Sequence, residues 1–417
     1  MTVHARPDRR LVRAAHRSER FVLVEVVAPA APRTERQPVN LAFVLDRSGS
    51  MSGAKIDLGR KAVEDALARL HPEDRFAIVV YDEQIDLVVE STPASAEARR
   101  NAVERLRAID ARGSTDLAGG WLRGCEQVAL HLAGHGVNRA LLLTDGLANV
   151  GITDPGELER HAAQLRERGV TTSTFGVGDD FDERLLQAMA DAGGGLFYYI
   201  ADAAQIADHI TSEVGEVLQV VARSAFVEVT AADGLDVEPL TPYRVERRGN
   251  RTHVTLGDLV SEQELAVVLR LRFPYGEMGR EIGALLAVAD ADGALSSPPV
   301  TLSWTYADDA ANDAQPRDRA VDRAVANVFA ARARQVAVSL NRAGQYAAAR
   351  AAIQAVAQRV TTYAGDDPEL HGLVAQLDRD EDQWAAPAPE AMRKAAFAAS
   401  SYLARGRSPA GHAQRRS

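Results

Sequence analysis

Three short stretches of the sequence carry oxygen donors in a pattern that suits a metal ion. The first is Asp46-x-Ser48-x-Ser50, the second contains Thr115, and the third ends in Asp145. Together they supply two carboxylates and three hydroxyls, all hard oxygen ligands. Such a set suits Mg²⁺, which wants an octahedral array of oxygens and usually keeps several waters. Mn²⁺ and Ca²⁺ stay open as occupants, because the sequence does not distinguish among the three ions.

Each of these stretches lies at the end of a predicted strand or the start of a predicted helix. Between about residues 40 and 220, short apolar runs alternate with amphipathic helical stretches, which predicts an α/β fold with a doubly wound, mostly parallel sheet. Open sheets of this kind bind ligands beyond the carboxyl ends of their strands, so we expect the five donors to meet there. The predicted strands are 41–46, 76–82, 139–145, 171–176 and 196–200, with an edge strand near 85–90.

The rest of the chain divides by its patterning into further segments. Short strand-like runs with turns between them predict an antiparallel β-sandwich, and a run of apolar residues at Phe21–Val27 needs a sheet to join, for which the sandwich is the natural host. From about Arg317 the chain is alanine-rich and helical. The predicted segments are a basic arm with one strand of the sandwich at 1–38, the α/β domain at 39–220, the β-sandwich at 221–308, a helical extension at 309–404 and a disordered basic tail at 405–417.

Composition excludes several classes of function. A net charge of −10 over 417 residues disfavours broad electrostatic attraction to nucleic acid or anionic membranes. No apolar run approaches the ~18 residues of a membrane span, and the first residues show no secretory signal, so a cytoplasmic protein is expected. Cys125 is the single cysteine, which excludes an internal disulfide framework. The phosphate-binding loop of nucleotide hydrolases is absent.

The five donors, in this order, resemble the metal-ion-dependent adhesion site (MIDAS) of von Willebrand factor type A domains. That family has Asp-x-Ser-x-Ser, then Thr, then Asp, and the segment 175–199 is also similar to the bacterial and inter-alpha-inhibitor-like members. The resemblance covers about residues 40–220. It implies that the two serines ligate the metal directly, that the threonine does so in a high-affinity state, and that the two aspartates act largely through water.

The resemblance also implies a function. The chain is expected to be a non-enzymatic, metal-dependent protein-binding module, in which an Asp or Glu of a partner protein fills the vacant coordination position. Bacterial relatives often work beside AAA+ ATPases or kinase and phosphatase systems, so such a partner is plausible. A rim that contacts the partner is expected at Arg47, Met51, Asp116 and Gly146.

Other interpretations of the same residues stay open. Each hydroxyl taken singly is typical of a helix cap. A Mg²⁺-dependent phosphatase would also place carboxylates at strand ends, but the aspartyl-phosphate type needs Asp-x-Asp, and Ser48 stands at the second position. A scaffold that binds through its helical C-terminus around a structural metal is a third possibility. His131 and His135 have the spacing of a zinc helix without its catalytic Glu, which favours surface histidines.

Overall fold

The computed structural model describes residues 1–31, 37–134, 136–293 and 295–415, and its chain folds into two compact units. One unit contains residues 1–30 and 222–417, and the other contains residues 31–221. The N-terminal residues form three strands, β1 (Thr2–Pro7), β2 (Leu11–Arg13) and β3 (Ser18–Val27). The predicted basic arm is therefore itself built into strands.

The α/β unit alternates strands with helices along the chain, as the periodicity predicts. Its elements are β4 (Val39–Asp46), α1 (Ala54–Leu67), β5 (Arg75–Tyr81), β6 (Ile85–Pro93), α2 (Ala96–Arg107), α3 (Leu117–Ala129), β7 (Val137–Thr144), α4 (Pro155–Glu167), β8 (Thr171–Val177), α5 (Glu183–Gly193), β9 (Gly194–Ile200) and α6 (Ile206–Val217). Short 3-10 turns lie at Gly49–Met51 and Ala203–Gln205.

The sheet of this unit has the order β6-β5-β4-β7-β8-β9, and all pairs are parallel except β5 with β6. The central strands β4 and β7 are buried at every residue, because helices cover both of their faces. This burial explains why they read as continuous apolar runs rather than alternating ones. The predicted doubly wound, mostly parallel sheet is confirmed, with β6 as its antiparallel edge.

The second unit, in its described residues, contains two mostly antiparallel sheets. Its later strands are β10 (Val220–Ala231), β11 (Asp236–Pro239), β12 (Arg244–Arg248), β13 (Arg251–Val260), β14 (Glu264–Phe273), β15 (Glu281–Ala289) and β16 (Val300–Ala307). The sheet orders are β1-β3-β14-β11 and β12-β13-β10-β15-β16-β2, with one parallel pair between β16 and β2. Phe273 and Trp304, one from each sheet, meet edge to face at 5.1 Å. The prediction that the strand near Phe21–Val27 joins this region is confirmed, since β3 pairs with β14 over ten residues.

Five helices follow: α7 (Asp309–Ala314), α8 (Arg319–Arg342), α9 (Tyr346–Ala364), α10 (Pro368–Trp384) and α11 (Glu390–Ala404). Valines of α8 pack on Phe21 and Leu23 of β3, while the other face of α8 shares an alanine-rich core with α9, α10 and α11. The segment 307–316, whose composition is typical of a linker, instead forms α7. It is held because Gln315 Oε1 accepts hydrogen bonds from Arg10 N and Leu11 N at 3.0 and 2.7 Å.

The expectation of a disordered tail from residue 405 is wrong as far as Arg415. Arg407 is buried and forms an antiparallel β-bridge with Ala413. The end of the tail runs antiparallel to the start of β14, where Glu264 N donates to Gln414 O at 2.8 Å. Arginines on a short segment suggested solvation, but here the backbone finds partners on a sheet. Residues 416–417 lie outside the described residues.

No helix among the described residues combines the length and the apolar character that crossing a membrane requires.

Candidate functional site

The two carboxylates of the site stand at the ends of neighbouring strands. β4 ends at Asp46 and β7 ends at Thr144, and the parallel register that pairs Leu45 with Leu143 brings Asp46 and Asp145 to the same edge of the sheet. Both aspartates are 0% exposed. The site is therefore anchored at the ends of two strands that are buried at every residue.

The two serines lie between these carboxylates. Ser48 Oγ and Ser50 Oγ are 3.1 Å apart, and Ser50 Oγ donates to Asp145 Oδ1 at 2.6 Å. Ser48 N donates to Asp46 Oδ1 at 2.7 Å, which turns the chain back over the strand end. Neither serine caps a helix with its side chain: the short turn after Ser48 has no side-chain cap, and Gly53 occupies the N-cap position of α1. The alternative that these hydroxyls are helix caps is therefore wrong.

The threonine reaches the site from a separate loop. Gly49 N donates to Gly113 O at 3.1 Å, which ties the two loops together. Asp116, not Thr115, caps α3, because its carboxylate accepts from Gly119 N at 2.9 Å. A β-carbon on Gly146 would lie 3.5 Å from Thr115 Oγ1 and 3.8 Å from Ser50 Oγ, so both hydroxyls border the same space.

Thr115 is only 4% exposed, and within the described part of the chain its Oγ1 has no hydrogen-bond partner. This oxygen is not among the fully enclosed side-chain atoms that lack a partner, so it still reaches solvent. A hydroxyl that is open to solvent and makes no hydrogen bond within the described residues is available to a cation beside Ser50.

Electrostatics at the site favour a cation as well. Burial raises the pKa of Asp46 to about 6, although hydrogen bonds from Thr144 and Ser48 lower it. Thr144 Oγ1 donates to Asp46 Oδ2 at 2.7 Å, and Lys55 Nζ contacts Asp145 Oδ2 at 2.5 Å. One lysine cannot neutralise two buried carboxylates, so the ionised pair has a net charge that a divalent ion would offset.

Two of the four predicted rim residues are not at the rim. Arg47 is 5% exposed, and its guanidinium contacts Asp82 at 3.1 Å and Asp86 at 2.6 Å. Met51 is 0% exposed and belongs to the core. The Arg47 side chain turns inward because it pairs with two carboxylates. The Met51 side chain turns inward because it is apolar and packs into the core beneath the tight turn. Neither residue is available to a partner.

The other two rim residues lie at the site in different roles. Asp116 is half-buried and holds the start of α3, and a β-carbon on Gly151 would come within 2.5 Å of Asp116 Oδ1. Its carboxylate is therefore committed to the loop that carries Thr115. Gly146 is half-buried and borders the hydroxyls, so a side chain there would meet the donors directly.

Two residues of the site were missed by sequence reasoning. Thr144 supports Asp46, and Lys55 pairs with Asp145. A signal for Lys55 existed, because it stands in the first turn of the helix that follows the serines and is one of only three lysines in the chain. Helix periodicity alone does not tell which way such a side chain turns.

No group of three or more His, Cys, Asp or Glu able to hold a metal ion occurs among the residues that the structure describes. The candidate site is not a group of this kind, because three of its five donors are hydroxyls and only two are carboxylates. His135 lies outside the described residues, and its possible pairing with His131 is not addressed.

Comparison with known proteins finds the family that the sequence resembles. The family model of the von Willebrand factor type A domain matches residues 40–213. The chain is 31% identical to YfbK of Escherichia coli over 60% of its own length and 44% of that protein. It is 30% identical to the human inter-alpha-trypsin inhibitor heavy chain H4 over 45% of its length and 21% of the relative. The chain thus spans less than half of either relative.

Solved structures agree on the fold. A von Willebrand factor type A protein from Catenulispora acidiphila superposes with a TM-score of 0.70 at 19% identity, covering 91% of this chain and 87% of that one. The ArnB paralog VWA2 from Sulfolobus acidocaldarius gives a TM-score of 0.58 at 17% identity, covering 93% and 99%. Residues 40–213 of this chain are a von Willebrand factor type A domain.

Proposed function

We propose that the strand-end site binds a divalent cation and that the bound ion captures an acidic side chain of a partner protein. The main support for a bound metal is that three hydroxyls converge on two buried carboxylates. None of these hydroxyls caps a helix with its side chain. Hard oxygen donors of this kind suit Mg²⁺, with Mn²⁺ and Ca²⁺ as alternatives.

Ser48, Ser50 and Thr115 would hold the ion directly, and Asp46 and Asp145 would balance its charge, largely through water. Neutral direct ligands leave a bound ion electrophilic, which favours an incoming carboxylate at a vacant coordination position. The donor set offers no nucleophile paired with a general base, so the proposed activity is binding, not turnover. An AAA+ ATPase or a kinase and phosphatase system as partner, and a cytoplasmic location, stay predictions from the resemblance and the sequence.

Titration of Mg²⁺ into metal-free protein tests the site. Asp46→Asn and Thr115→Val should each weaken Mg²⁺ binding at least tenfold by calorimetry, because one removes a charge and the other an oxygen donor. Ser114→Ala is the matched control, since Ser114 is exposed beside Thr115 and its side chain makes no hydrogen bond in the described residues. Equal Mg²⁺ affinity in wild type and Asp46→Asn would refute the assignment.

The partner is tested separately. Protein bound to the immobilised wild-type chain in Mg²⁺ should elute when EDTA is added. From the immobilised Asp46→Asn variant, EDTA should release no additional protein. Capture that survives EDTA would show that the chain binds through another surface.

A further inference from the structure

Several large apolar side chains of the α/β unit are exposed to an unusual degree beside the metal-site loops. Ile85, Leu147 and Val150 are 38, 49 and 37% exposed. In the described part of this unit the other large apolar side chains with similar exposure are Leu130 and Leu132, which follow the C-terminal end of α3, away from the loops at its start. We call Ile85, Leu147 and Val150 the apolar collar.

The collar is fixed to the loop that presents Thr115. Asn149 N and Val150 N both donate to Thr115 O at 3.2 Å, so the segment after Asp145 folds back onto this loop. Ile85, the first residue of β6, lies against the start of α3, which directly follows this loop. A β-carbon on Gly119 would be 2.4 Å from Ile85 Cδ1 and 2.5 Å from Asp116 Oδ2, which places Ile85 beside the residue that follows Thr115.

Exposed apolar side chains scattered singly over a surface need no explanation, but a group around one site marks a place where another molecule binds. Backbone hydrogen bonds fix the loops that carry the collar, so the fold itself holds these side chains at the surface. Their position beside the donors means that a partner reaching the metal also covers them.

Charge at the site indicates what that partner presents. Asp46 and Asp145 together carry −2, a divalent ion carries +2, and Lys55 contacts Asp145 and adds +1. The loaded site therefore has a net charge of +1, which one carboxylate neutralises. Because a buried ion pair is favourable only when its charges are matched, a single acidic side chain fits best.

The surroundings disfavour further acids. Glu83 is exposed, and its carboxylate accepts from Ser114 N at 3.1 Å, next to Thr115. Asp179 and Asp180 are exposed on the loop after Gly178, where a β-carbon would lie 3.9 Å from Lys55 Nζ. A second carboxylate on the partner would meet these charges, whereas an apolar neighbour would meet the collar.

We propose that the partner presents a segment with one Asp or Glu and a large apolar side chain one or two residues away, which the apolar collar covers. This proposal rests on the proposed metal-dependent function and adds the chemistry of the partner to it. The acidic side chain supplies the charge match, and the apolar neighbour supplies burial and discriminates against acidic tracts.

Selection of a random 12-residue peptide library on the full chain in Mg²⁺, with elution by EDTA, tests the proposal. The eluted peptides should be enriched in one acidic residue with Leu, Ile, Val, Phe or Met within two positions. The enriched peptide is then titrated into wild type, Leu147→Ser, Val150→Ser and the control Leu130→Ser, which is 59% exposed elsewhere on the unit. Mg²⁺ titrations of each variant run in parallel.

The expected result is peptide binding at least tenfold weaker in Leu147→Ser and Val150→Ser, with Mg²⁺ still bound, and no change in Leu130→Ser. Enrichment of acidic tracts, or of single acids without apolar neighbours, would overturn the proposal. So would equal peptide affinity in wild type and both collar variants. Failure of the metal function looks different, because Mg²⁺ would then not bind and EDTA would release nothing.

Discussion

Removal of the Lys55 ammonium should tighten Mg²⁺ binding. Lys55 Nζ lies 2.5 Å from Asp145 Oδ2, and the Asp145 side chain is 0% exposed while that of Lys55 is 29% exposed. Among the described residues, this lysine is the cation that pairs with Asp145 in the metal-free protein. Lys55→Met removes the charge and keeps much of the side-chain volume, so Asp145 retains the hydrogen bond from Ser50 and loses its counterion.

The size of the effect follows from a thermodynamic cycle. A hydrogen bond between charged groups contributes about 1.5–3 kcal/mol, and the metal-free variant loses that stability. In the metal-bound protein the ion takes over the neutralisation of Asp145, so most of the loss disappears. By linkage, a loss confined to the metal-free state appears as a gain in metal affinity. Since ~1.4 kcal/mol is tenfold, Mg²⁺ should bind Lys55→Met roughly tenfold to hundredfold more tightly.

Calorimetric titration of Mg²⁺ into chelator-treated protein measures the affinity, and melting temperatures with and without EDTA measure the stability. Lys61→Met is the matched control on the same helix, because Lys61 Nζ pairs with Asp65 at 2.8 Å but its side chain is 54% exposed. An exposed pair of this kind contributes little, because solvent screens it. Its Mg²⁺ affinity should match that of wild type.

A weaker Mg²⁺ affinity in Lys55→Met would refute the reasoning, because it would mean that Lys55 orients Asp145 for the ion instead of competing with it. A second readout checks the same logic. The variant lowers the net charge of the loaded site from +1 to 0, so it should bind an acidic peptide more weakly while it binds Mg²⁺ more strongly. Opposite directions in one variant are difficult to obtain from general damage to the fold.

The remaining predictions concern stability. Glu213 is 0% exposed, and its carboxylate accepts from Arg139 at 2.8 Å and from the hydroxyls of Ser173 and Tyr198. Glu213→Ala removes the shared acceptor of this buried network and should cost about 3–5 kcal/mol by urea unfolding, whereas a cost below about 1 kcal/mol would contradict this. Gly120→Ala would place a β-carbon 2.3 Å from the ring of the fully buried Tyr81, and should cost about 1–3 kcal/mol. Gly372→Ala in α10 meets nothing within 4 Å and should instead gain up to about 1 kcal/mol, with melting temperatures distinguishing the two.

Much of the fold was predictable because the period of the apolar residues changes along the chain. The α/β unit alternates strand-like runs with helical ones, and the predicted strands 41–46 and 76–82 fall within a few residues of β4 and β5. The short helix α7 was not predictable from composition, because the residues of 307–316 are typical of a linker. Asp308 caps α7 through Ala311 N at 2.8 Å, a start signal that a stretch of Asp, Ala and Asn hides.

The donors of the site were predictable for a topological reason. A carboxylate that directly follows a buried parallel strand has one place to go, which is the carboxyl edge of the sheet, so Asp46 and Asp145 meet whatever their loops do. The place of the Thr115 hydroxyl at the site was predictable only through the resemblance, because its position depends on the contact between Gly49 and Gly113.

The side-chain directions of the rim residues were not predictable, because they depend on contacts with residues that are distant in the sequence. Arg47 follows a strand end, where its side chain was expected to face a partner, yet its backbone N donates to Tyr81 O at 2.8 Å and its O accepts from Arg112 N at 2.7 Å. These bonds turn the side chain toward Asp82, whose own backbone O accepts from Asp116 N at 2.8 Å. Arg47 therefore braces the loop that presents Thr115. A charged side chain turned inward and apolar ones turned outward is the arrangement that the proposed partner chemistry requires, because it leaves the collar to contact the partner and uses the charged residues to brace the loops of the proposed donors.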